Sequence, residues 1–403
     1  MSNTLNTVMV PFSPPDVTEL EADAVRDVLL SGWITTGPQV THFEHELSDY
    51  CGTSRTVVMS SATAGLELTL RLLGIGPGDE VITTAYTFSA TAAAIHHVGA
   101  SIVLVDVASD SFFMDPTHLR DAITDRTKAI IPVDIGGVMA DYSSILRLAD
   151  EARSVFQPTS PLQEQLGRIA VIADAAHSLG ATSKGLKSGQ AADFTVFSFH
   201  AVKNLTTAEG GAVTWNPDLG LSSDDIHQEL TCMALHGQTK SALDKSKPGA
   251  WEYDIVLPGY KCNMTDIAAA MGRVQLRRFP KMLSRRRELI DHYDQACTDL
   301  NLDHLIHHGN DFLSSGHLYL LLLPSQMIAR DEFIARMSEA GIACNVHYKP
   351  LPLLTAYKAL GFSIVDYPNS LSMFLREATL PLFSTMTDDQ IDYTCSNMSR
   401  ILS

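Results

Sequence analysis

The chain alternates seven short apolar runs with helical patterns between Val57 and about Trp215. Near-continuous apolar strands separated by helices are typical of a mostly parallel sheet with both faces covered. We therefore expect an α/β fold whose large domain is built on a mostly parallel seven-stranded sheet. The predicted strands are Thr56–Met59, Glu80–Thr83, Ser101–Val105, Ala129–Val133, Ala170–Ala173, Phe194–Phe197 and Gly211–Trp215.

The pattern changes in the last third of the chain. A long helix rich in arginine and leucine is predicted through Arg287, followed by a strand candidate at His317–Leu323 and a helix at Asp331–Ala340. Strands and helices are fewer here and alternate less regularly, which is typical of a small α+β domain. We predict a large domain over residues 1–262, with an N-terminal arm, and a small C-terminal domain over residues 263–403.

Composition and charge narrow the class of protein. With 403 residues, 45% of them apolar and 19% charged, the chain is long enough for two packed lobes and has the balance of a globular enzyme. No run approaches the roughly 20 apolar residues that span a bilayer, and the first ten residues lack the features of a signal peptide. We therefore expect a cytoplasmic protein without membrane association. A net charge of −17 opposes binding to nucleic acid.

The cysteines and histidines predict neither disulfides nor a metal centre. The six cysteines are scattered and form no C-x-x-C pair. The histidine pair at 96–97 has no acidic neighbour, and the histidines between His304 and His308 have only Asp303 and Asp311 nearby in the sequence. Solvated or hydrogen-bonded histidines explain this pattern better than zinc ligands do.

Lys203 and Asp174 are the candidate catalytic residues. Lys203 lies in a small, polar, glycine-terminated loop directly after a predicted strand, and Asp174 ends an earlier one. A lysine nucleophile and an aspartate that holds a pyridinium proton are the two groups that pyridoxal 5′-phosphate chemistry requires. A lone lysine is usually a solvated surface charge. The combination with Asp174 therefore indicates pyridoxal phosphate as the cofactor, because a carboxylate near the ring nitrogen favours the protonated ring.

The segment Ser61–Gly65 follows a predicted strand and precedes an apolar-periodic stretch, so it should begin a helix. The free N–H groups and positive dipole end of such a helix suit the cofactor phosphate, and small residues permit close approach. An ordinary helix cap by serine or threonine is the alternative interpretation.

The order of motifs from Gly32 to Gly272 resembles that of the nucleotide-sugar aminotransferases of the DegT/StrS group, a branch of the fold-type-I pyridoxal phosphate enzymes. Each motif alone is weak, but their shared order covers nearly the whole chain. The matching stretches are Ser31–Pro38, Ser60–Gly65, Thr84–Thr91, Asp174–His177, Ser198–Asn204, Glu209–Gly211, Gly259–Asp266, Gly341–Tyr348 and Leu380–Phe383.

The resemblance implies a fold-type-I transferase that works by a ping-pong mechanism. The amino group of L-glutamate would pass through the cofactor to a keto sugar carried on a nucleotide diphosphate, with release of 2-oxoglutarate. The stretch Gly259–Asn263 resembles the subgroup that aminates C4, with uridine as the favoured base. Relatives are homodimers with sites at the interface, so we expect the same arrangement here.

Residue roles follow from the same resemblance. Phe88 would cover the face of the pyridine ring, with Tyr86 as the competitor, and His177 would bond the phenolic oxygen. The implied catalytic residues are Lys203 and Asp174. The implied cofactor-binding residues are Ala62, Thr63, Phe88, Asp174, His177, Ser198 and Lys203, with Lys261 and Asn263 from the second subunit. The implied substrate-binding residues are Thr35, Thr36, His347 and Tyr348.

Three alternatives remain open from the sequence. Dehydratases of this family carry histidine in place of Lys203, so the lysine favours amino transfer. An aromatic-forming synthase of the family retains lysine. A non-catalytic regulatory protein that keeps the fold is the third alternative, and intact Lys203, Asp174 and His177 argue against it.

The stretch 154–168 is longer than common loops and contains two prolines. Compared with the family pattern it resembles an insertion. A surface flap and a subunit contact are its two interpretations.

Overall fold

The computed structural model describes residues 9–240, 242–245, 248, 251–324 and 326–402. A seven-stranded sheet forms its centre, and two three-stranded sheets lie beside it. The strands are β1 (Thr56–Met59), β2 (Glu80–Thr84), β3 (Ser101–Val105), β4 (Thr127–Ile131), β5 (Ala170–Asp174), β6 (Thr182–Ser183), β7 (Leu186–Lys187), β8 (Phe194–Ser198), β9 (Gly211–Trp215), β10 (Asp303–His304), β11 (Phe312–Leu313), β12 (Tyr319–Leu322) and β13 (Glu377–Leu380).

The large sheet has the strand order β1-β9-β8-β5-β4-β2-β3. Its neighbours from β3 to β8 pair in parallel, whereas β9 runs antiparallel to both β8 and β1. Every residue of β4, β5 and β9 is buried, which explains why most residues of these strands are apolar. Because β5 and β8 are parallel neighbours, their carboxyl ends place Asp174 and Ser198 at the same edge of the sheet.

Helices cover the sheet and build most of the remaining structure. The α-helices are α1 (Glu19–Ser31), α2 (Pro38–Cys51), α3 (Ala62–Leu72), α4 (Ser89–His97), α5 (Pro116–Ala122), α6 (Tyr142–Glu151), α7 (Pro161–Leu166), α8 (Ser223–Ala234), α9 (Ala242–Lys245), α10 (Asp266–Leu300), α11 (Arg330–Glu339), α12 (Thr355–Ala359), α13 (Pro368–Arg376) and α14 (Asp388–Leu402). Short 3₁₀ turns span Ile135–Gly137, Ala152–Ser154, Leu351–Leu353 and Ile364–Asp366. No helix within the described ranges is both long and apolar enough to cross a membrane.

Helix α10 links the large sheet to the C-terminal part of the chain. Thr265 caps its first turn by accepting a hydrogen bond from the Ala268 N–H, and Asn301 ends it in the left-handed conformation. The helix continues 13 residues past the predicted end because its last turns bury Leu289, Tyr293 and Cys297 in the C-terminal core. The C-terminal sheet has the order β10-β12-β13, and β12 coincides with the predicted strand candidate.

The stretch 154–168 is anchored to the large sheet's helical layer. It contains α7, whose N-cap Ser160 accepts a hydrogen bond from Gln163 N–H. Ser160 Oγ and Gln163 Nε2 both donate to the Leu73 carbonyl, at 2.7 and 2.8 Å. Phe156 is buried as well. The segment is therefore packed against the end of α3 and is not a free flap, while a contact with a second subunit stays a prediction.

The start of α3 depends on a glycine in the neighbouring strand. The helix begins in the segment that the sequence predicts, and Ser61 caps it by accepting a hydrogen bond from Ala64 N–H at 3.1 Å. A Cβ on Gly211, the first residue of β9, would lie 2.4 Å from Ala62 N and from Ser61 C. Only glycine allows the strand to approach the helix terminus this closely.

We expect Gly211→Ala to destabilise the protein by about 1–3 kcal/mol, because backbone atoms must move to admit the methyl group. The displaced helix terminus should also weaken phosphate binding. Urea unfolding and titration with inorganic phosphate test the two effects. Gly76→Ala is the matched control, because its nearest atom would be 3.7 Å away, and a change below about 1 kcal/mol is expected. Equal stability of the two variants would contradict the packing argument.

Candidate active site

A cavity of about 370 Å³ lies at the carboxyl ends of β5 and β8. Its volume falls in the range of small-molecule and cofactor sites. The structure brings most of the sequence-predicted site residues together around it. Those that line the cavity are Ala62, Thr63, Phe88, Asp174, His177, Ser198, Lys203, His347 and Tyr348.

Lys203 lies in the turn that follows β8. Its backbone N–H donates to the His200 carbonyl at 2.9 Å, which closes the turn and places the side chain in the cavity. Burial lowers the pKa of the Lys203 amine to about 8, while the charge of Asp174 acts in the opposite direction. A much larger fraction of this amine is therefore neutral near pH 7 than of an exposed lysine, as a nucleophile requires.

Asp174 ends β5 and is buried beneath the cavity. Its carboxylate accepts hydrogen bonds from Thr91 Oγ at 2.6 Å and from the Ala176 N–H at 3.3 Å. Burial raises the pKa of Asp174, and the bond from Thr91 partly offsets this. Thr91 belongs to the motif Thr84–Thr91, but sequence reasoning gave it no role, because nothing in the sequence shows that α4 directs it at Asp174.

The hydrogen bonds of His177 fix its tautomer. The Gly136 N–H donates to His177 Nδ1 at 3.2 Å, so the ring proton must be on Nε2, which lies 2.9 Å from Tyr348 Oη. Burial, together with the charge of Lys203, holds the pKa of His177 well below its usual range. His177 is therefore a neutral hydrogen-bond donor, and in this structure Tyr348 accepts its hydrogen bond.

Phe88 and Tyr86 have different positions. Phe88 is 60% exposed, lines the cavity and lies 5.8 Å from the Tyr348 ring. Tyr86 is 0% exposed and packs in the core against Phe112 at 5.8 Å. Of the two candidates, Phe88 is thus the one that is available to stack on a ligand in the cavity.

Four of the implied ligand-binding residues do not line the cavity of their own chain. Asn263 Nδ2 donates to Thr36 Oγ at 2.5 Å, and Thr36 Oγ donates to the Met264 carbonyl at 2.6 Å. Lys261 donates to the Asn263 side chain, and Thr35 is exposed nearby. These residues form a separate surface cluster, and their action at a neighbouring subunit's site stays a prediction.

His317 and Phe12 are cavity residues that sequence reasoning missed. The His317 ring lies 4.4 Å from that of His177, and its Nδ1 is 2.9 Å from Asn204 Oδ1. Phe12 stacks on His347 at 5.6 Å. The motif Ser198–Asn204 contains Asn204, but the sequence pattern around His317 indicates only the start of a strand, and Phe12 belongs to no motif.

A second group of ionisable residues lies away from the cavity, where His308 approaches two aspartates of α10. His308 Nε2 lies 3.5 Å from Asp294 Oδ2 and 3.8 Å from Asp291 Oδ1. The sequence analysis considered only Asp303 and Asp311, which are close to His308 along the chain. It missed Asp291 and Asp294 because the fold of α10 brings them near His308. The group has the geometry of surface ion pairs, and the absence of a metal centre remains a prediction.

Comparisons with known proteins agree with this geometry. Residues 15–399 match the DegT/DnrJ/EryC1/StrS aminotransferase family. The chain belongs to this family, and it is a fold-type-I pyridoxal-phosphate-dependent aminotransferase. The donors around the cavity fit the cofactor: the terminus of α3 suits a phosphate, Asp174 a protonated ring nitrogen, and Lys203 an aldehyde.

Individual relatives cover nearly the whole chain. The spore coat polysaccharide biosynthesis protein SpsC of Bacillus subtilis is 36% identical over 390 residues, which are 95% of this chain and 94% of SpsC. Spr1654 from Streptococcus pneumoniae is similar in its PMP-form, with 48% identity, a TM-score of 0.94 and coverage of 97% and 98% of the two chains. Its PLP-form gives 46% identity and a TM-score of 0.92, with 98% and 100% covered. The sugar aminotransferase CalS13 from Micromonospora echinospora has 27% identity, a TM-score of 0.84 and coverage of 97% and 100%.

Proposed function

We propose that the protein transfers the amino group of L-glutamate to a keto sugar of a nucleotide diphosphate, with C4 as the aminated carbon and uridine as the base. One observation carries the proposal: an amine whose pKa is lowered and a buried carboxylate line the same cavity as a helix N-terminus. The names of the relatives, a sugar aminotransferase and a polysaccharide biosynthesis protein, support a sugar as the acceptor.

Each residue around the cavity has its own role in the proposed reaction. Bound pyridoxal phosphate supplies the electron sink that stabilises negative charge at the reacting carbon. Lys203 would hold the cofactor aldehyde, and its amine, when free and neutral, would accept the proton from the donor's α-carbon. Asp174 holds the proton on the ring nitrogen, and Thr91 orients this carboxylate. Phe88 covers the ring, and His177 donates a hydrogen bond at its edge.

A homodimer completes the site in this proposal. With a net charge of −17, the chain must place cations locally to bind an anionic nucleotide sugar. Lys261 supplies one exposed cation, and Thr35, Thr36 and Asn263 lie beside it, outside the cavity of their own chain. The exposure of Thr35 and Lys261 supports action at the partner's cavity, and Lys261→Ala should then raise the KM for the nucleotide sugar more than the KM for glutamate.

A panel of UDP- and dTDP-linked 3-keto and 4-keto sugars tests the function. Each is incubated with ¹⁵N-glutamate and the holoenzyme, and the product is analysed by mass spectrometry. An amino sugar that carries the label supports the proposal, and the preferred panel member identifies the base and the carbon. A product that has lost water without gaining nitrogen would favour the dehydratase or synthase alternative. Unchanged sugars across the panel, with active glutamate conversion, would exclude this acceptor class.

A further inference from the structure

A buried chain of hydrogen bonds connects Glu377 to the wall of the cavity. Glu377 and Thr379 lie on β13 with 0% exposure. Thr379 Oγ lies 2.5 Å from Glu377 Oε1 and 2.8 Å from His347 Nδ1. The other carboxylate oxygen, Oε2, accepts the backbone N–H of His347 at 2.9 Å. Two backbone hydrogen bonds between Asn345 and Thr379, of 2.8 and 3.0 Å, hold the two segments together.

This series of hydrogen bonds ends at the cavity with His347 Nε2. His347 lines the cavity, and its Nε2 has no hydrogen-bond partner among the residues that the structure describes. Phe12 covers one face of the ring by stacking, which limits its rotation. The group that His347 offers to a ligand is therefore Nε2, and its character depends on which ring nitrogen carries the proton.

The Thr379 hydroxyl has one hydrogen to donate, so the hydrogen bonds from Glu377 through Thr379 to His347 can be oriented in two consistent ways. If Glu377 is ionised, Thr379 donates to it and must accept from Nδ1–H, which leaves Nε2 as an acceptor. If Glu377 is protonated at Oε1, it donates to Thr379, Thr379 donates to Nδ1, and the ring proton lies on Nε2. The backbone N–H of His347 bonds to Oε2 in both cases.

We propose that the ionisation of Glu377, relayed by the Thr379 hydroxyl, sets which nitrogen of His347 carries the proton, and hence whether His347 presents a hydrogen-bond donor or acceptor to the substrate. Glu377 is a positioning residue in this scheme, since it acts through Thr379. One proton leaves Glu377 for solvent, Thr379 keeps its hydrogen, and His347 stays neutral while its N–H moves from Nε2 to Nδ1.

The electrostatics place this change in an accessible pH range. Burial raises the pKa of Glu377 to about 8, opposed by the bonds from Thr379 and His347 and by the charge of Arg330. Burial also lowers the pKa of His347 to about 3, so its ring stays neutral over that range. The other ionisable groups around this chain are Tyr86, Cys344 and Tyr348 near Glu377, and His177, Lys203 and His317 near His347.

The consequence for substrate choice rests on the proposed function. A keto oxygen requires a donor, whereas a sugar hydroxyl can satisfy either state of Nε2. Protonated Glu377 therefore favours a carbonyl next to His347, and ionised Glu377 favours a hydroxyl or an amine. In the substrate-free enzyme, the state of the His347 ring can be measured whether or not the proposed substrate is correct.

The ring state is tested by ¹⁵N NMR of holoenzyme labelled at histidine, from about pH 6 to about pH 10, with His347→Asn to assign the signals. In the wild type we expect the protonated nitrogen to change from Nε2 to Nδ1 as pH rises through about 8. Glu377→Gln mimics the protonated acid, because its carbonyl accepts the His347 N–H and its amide donates to Thr379. It should keep the proton on Nε2 throughout the same pH range.

Two further variants test the relay. Thr379→Val keeps the shape of the side chain but removes the hydroxyl, so the His347 tautomer should no longer change with pH. Thr379→Ser retains a hydroxyl and should keep the pH dependence of the wild type. The titration of the wild type requires no variant to fold. A wild-type ring that keeps one tautomer across the range, or a Glu377→Gln ring that changes as the wild type does, would overturn the proposal.

Kinetics separate this inference from the proposed function. In Glu377→Gln the ratio of kcat/KM for keto-sugar amination to that for glutamate should lose its wild-type pH dependence. A wild type that aminates no keto sugar contradicts the proposed function but leaves the NMR result intact. If Glu377→Gln aminates the sugar normally and keeps the wild-type pH profile, the proposed role of Glu377 is wrong but the proposed function is not contradicted.

Discussion

Lys203→Ala is expected to reduce turnover by at least about 10³-fold and to abolish the visible absorption band of lysine-bound pyridoxal phosphate. The variant removes both the group that binds the cofactor aldehyde and the base that moves the substrate proton. Burial lowers the pKa of the amine to about 8, so in the wild type the rate of cofactor association should rise with pH until about 8 and then level off. Stopped-flow absorbance measures the association, and a coupled 2-oxoglutarate assay measures turnover.

Two controls distinguish chemistry from folding. Lys203→Arg keeps a positive charge but not a neutral amine, and should lose turnover as Lys203→Ala does. Lys281→Ala, on the exposed face of α10, should leave the band and the rate unchanged. Because burial disfavours the charged amine, the cofactor-free Lys203→Ala protein should be at least as stable as the wild type at neutral pH. Retained absorbance and turnover in Lys203→Ala would exclude Lys203 as the cofactor-binding residue.

The large sheet could be predicted from the sequence because burial on both faces leaves a clear signal. The run at Gly211–Trp215 coincides with β9, and that at Ser101–Val105 with β3. The run Ala129–Val133 was displaced by two residues from β4 (Thr127–Ile131), because the buried polar residues Thr127 and Lys128 begin the strand. The antiparallel direction of β9 was not predictable, since burial alone does not encode strand direction.

The site was only partly predictable, for a different reason. Motif residues such as Asp174, Lys203 and His347 belong to segments that carry their own sequence signal. Thr91 and Glu377 act through contacts with residues more than 25 positions away, and such contacts depend on the packing of whole elements. The sequence also gives no sign that Glu377 is buried, because glutamate side chains are ordinarily exposed.

Asp174→Asn is expected to lower the rate of the glutamate half-reaction by about 10²- to 10³-fold, while cofactor affinity changes by less than about tenfold. Asparagine has nearly the same shape and still accepts the hydrogen bond from Thr91. Its neutral amide cannot hold a proton on the ring nitrogen, so negative charge at the reacting carbon is no longer delocalised into a cationic ring. Single-turnover absorbance with glutamate measures the rate, and equilibrium dialysis measures affinity.

The size of the rate effect relative to the binding effect decides whether Asp174 acts on the ring or only supports the fold. A purely structural role would weaken binding and stability together and leave the rate of the bound fraction nearly unchanged. Asp106→Asn supplies the comparison, because Asp106 is also buried and accepts hydrogen bonds from Asn369 and Ser370, away from the cavity. It should lower the melting temperature without slowing the bound enzyme. If Asp174→Asn behaves like Asp106→Asn in both measurements, the carboxylate does not hold the proton on the ring nitrogen, and this part of the proposed mechanism is wrong.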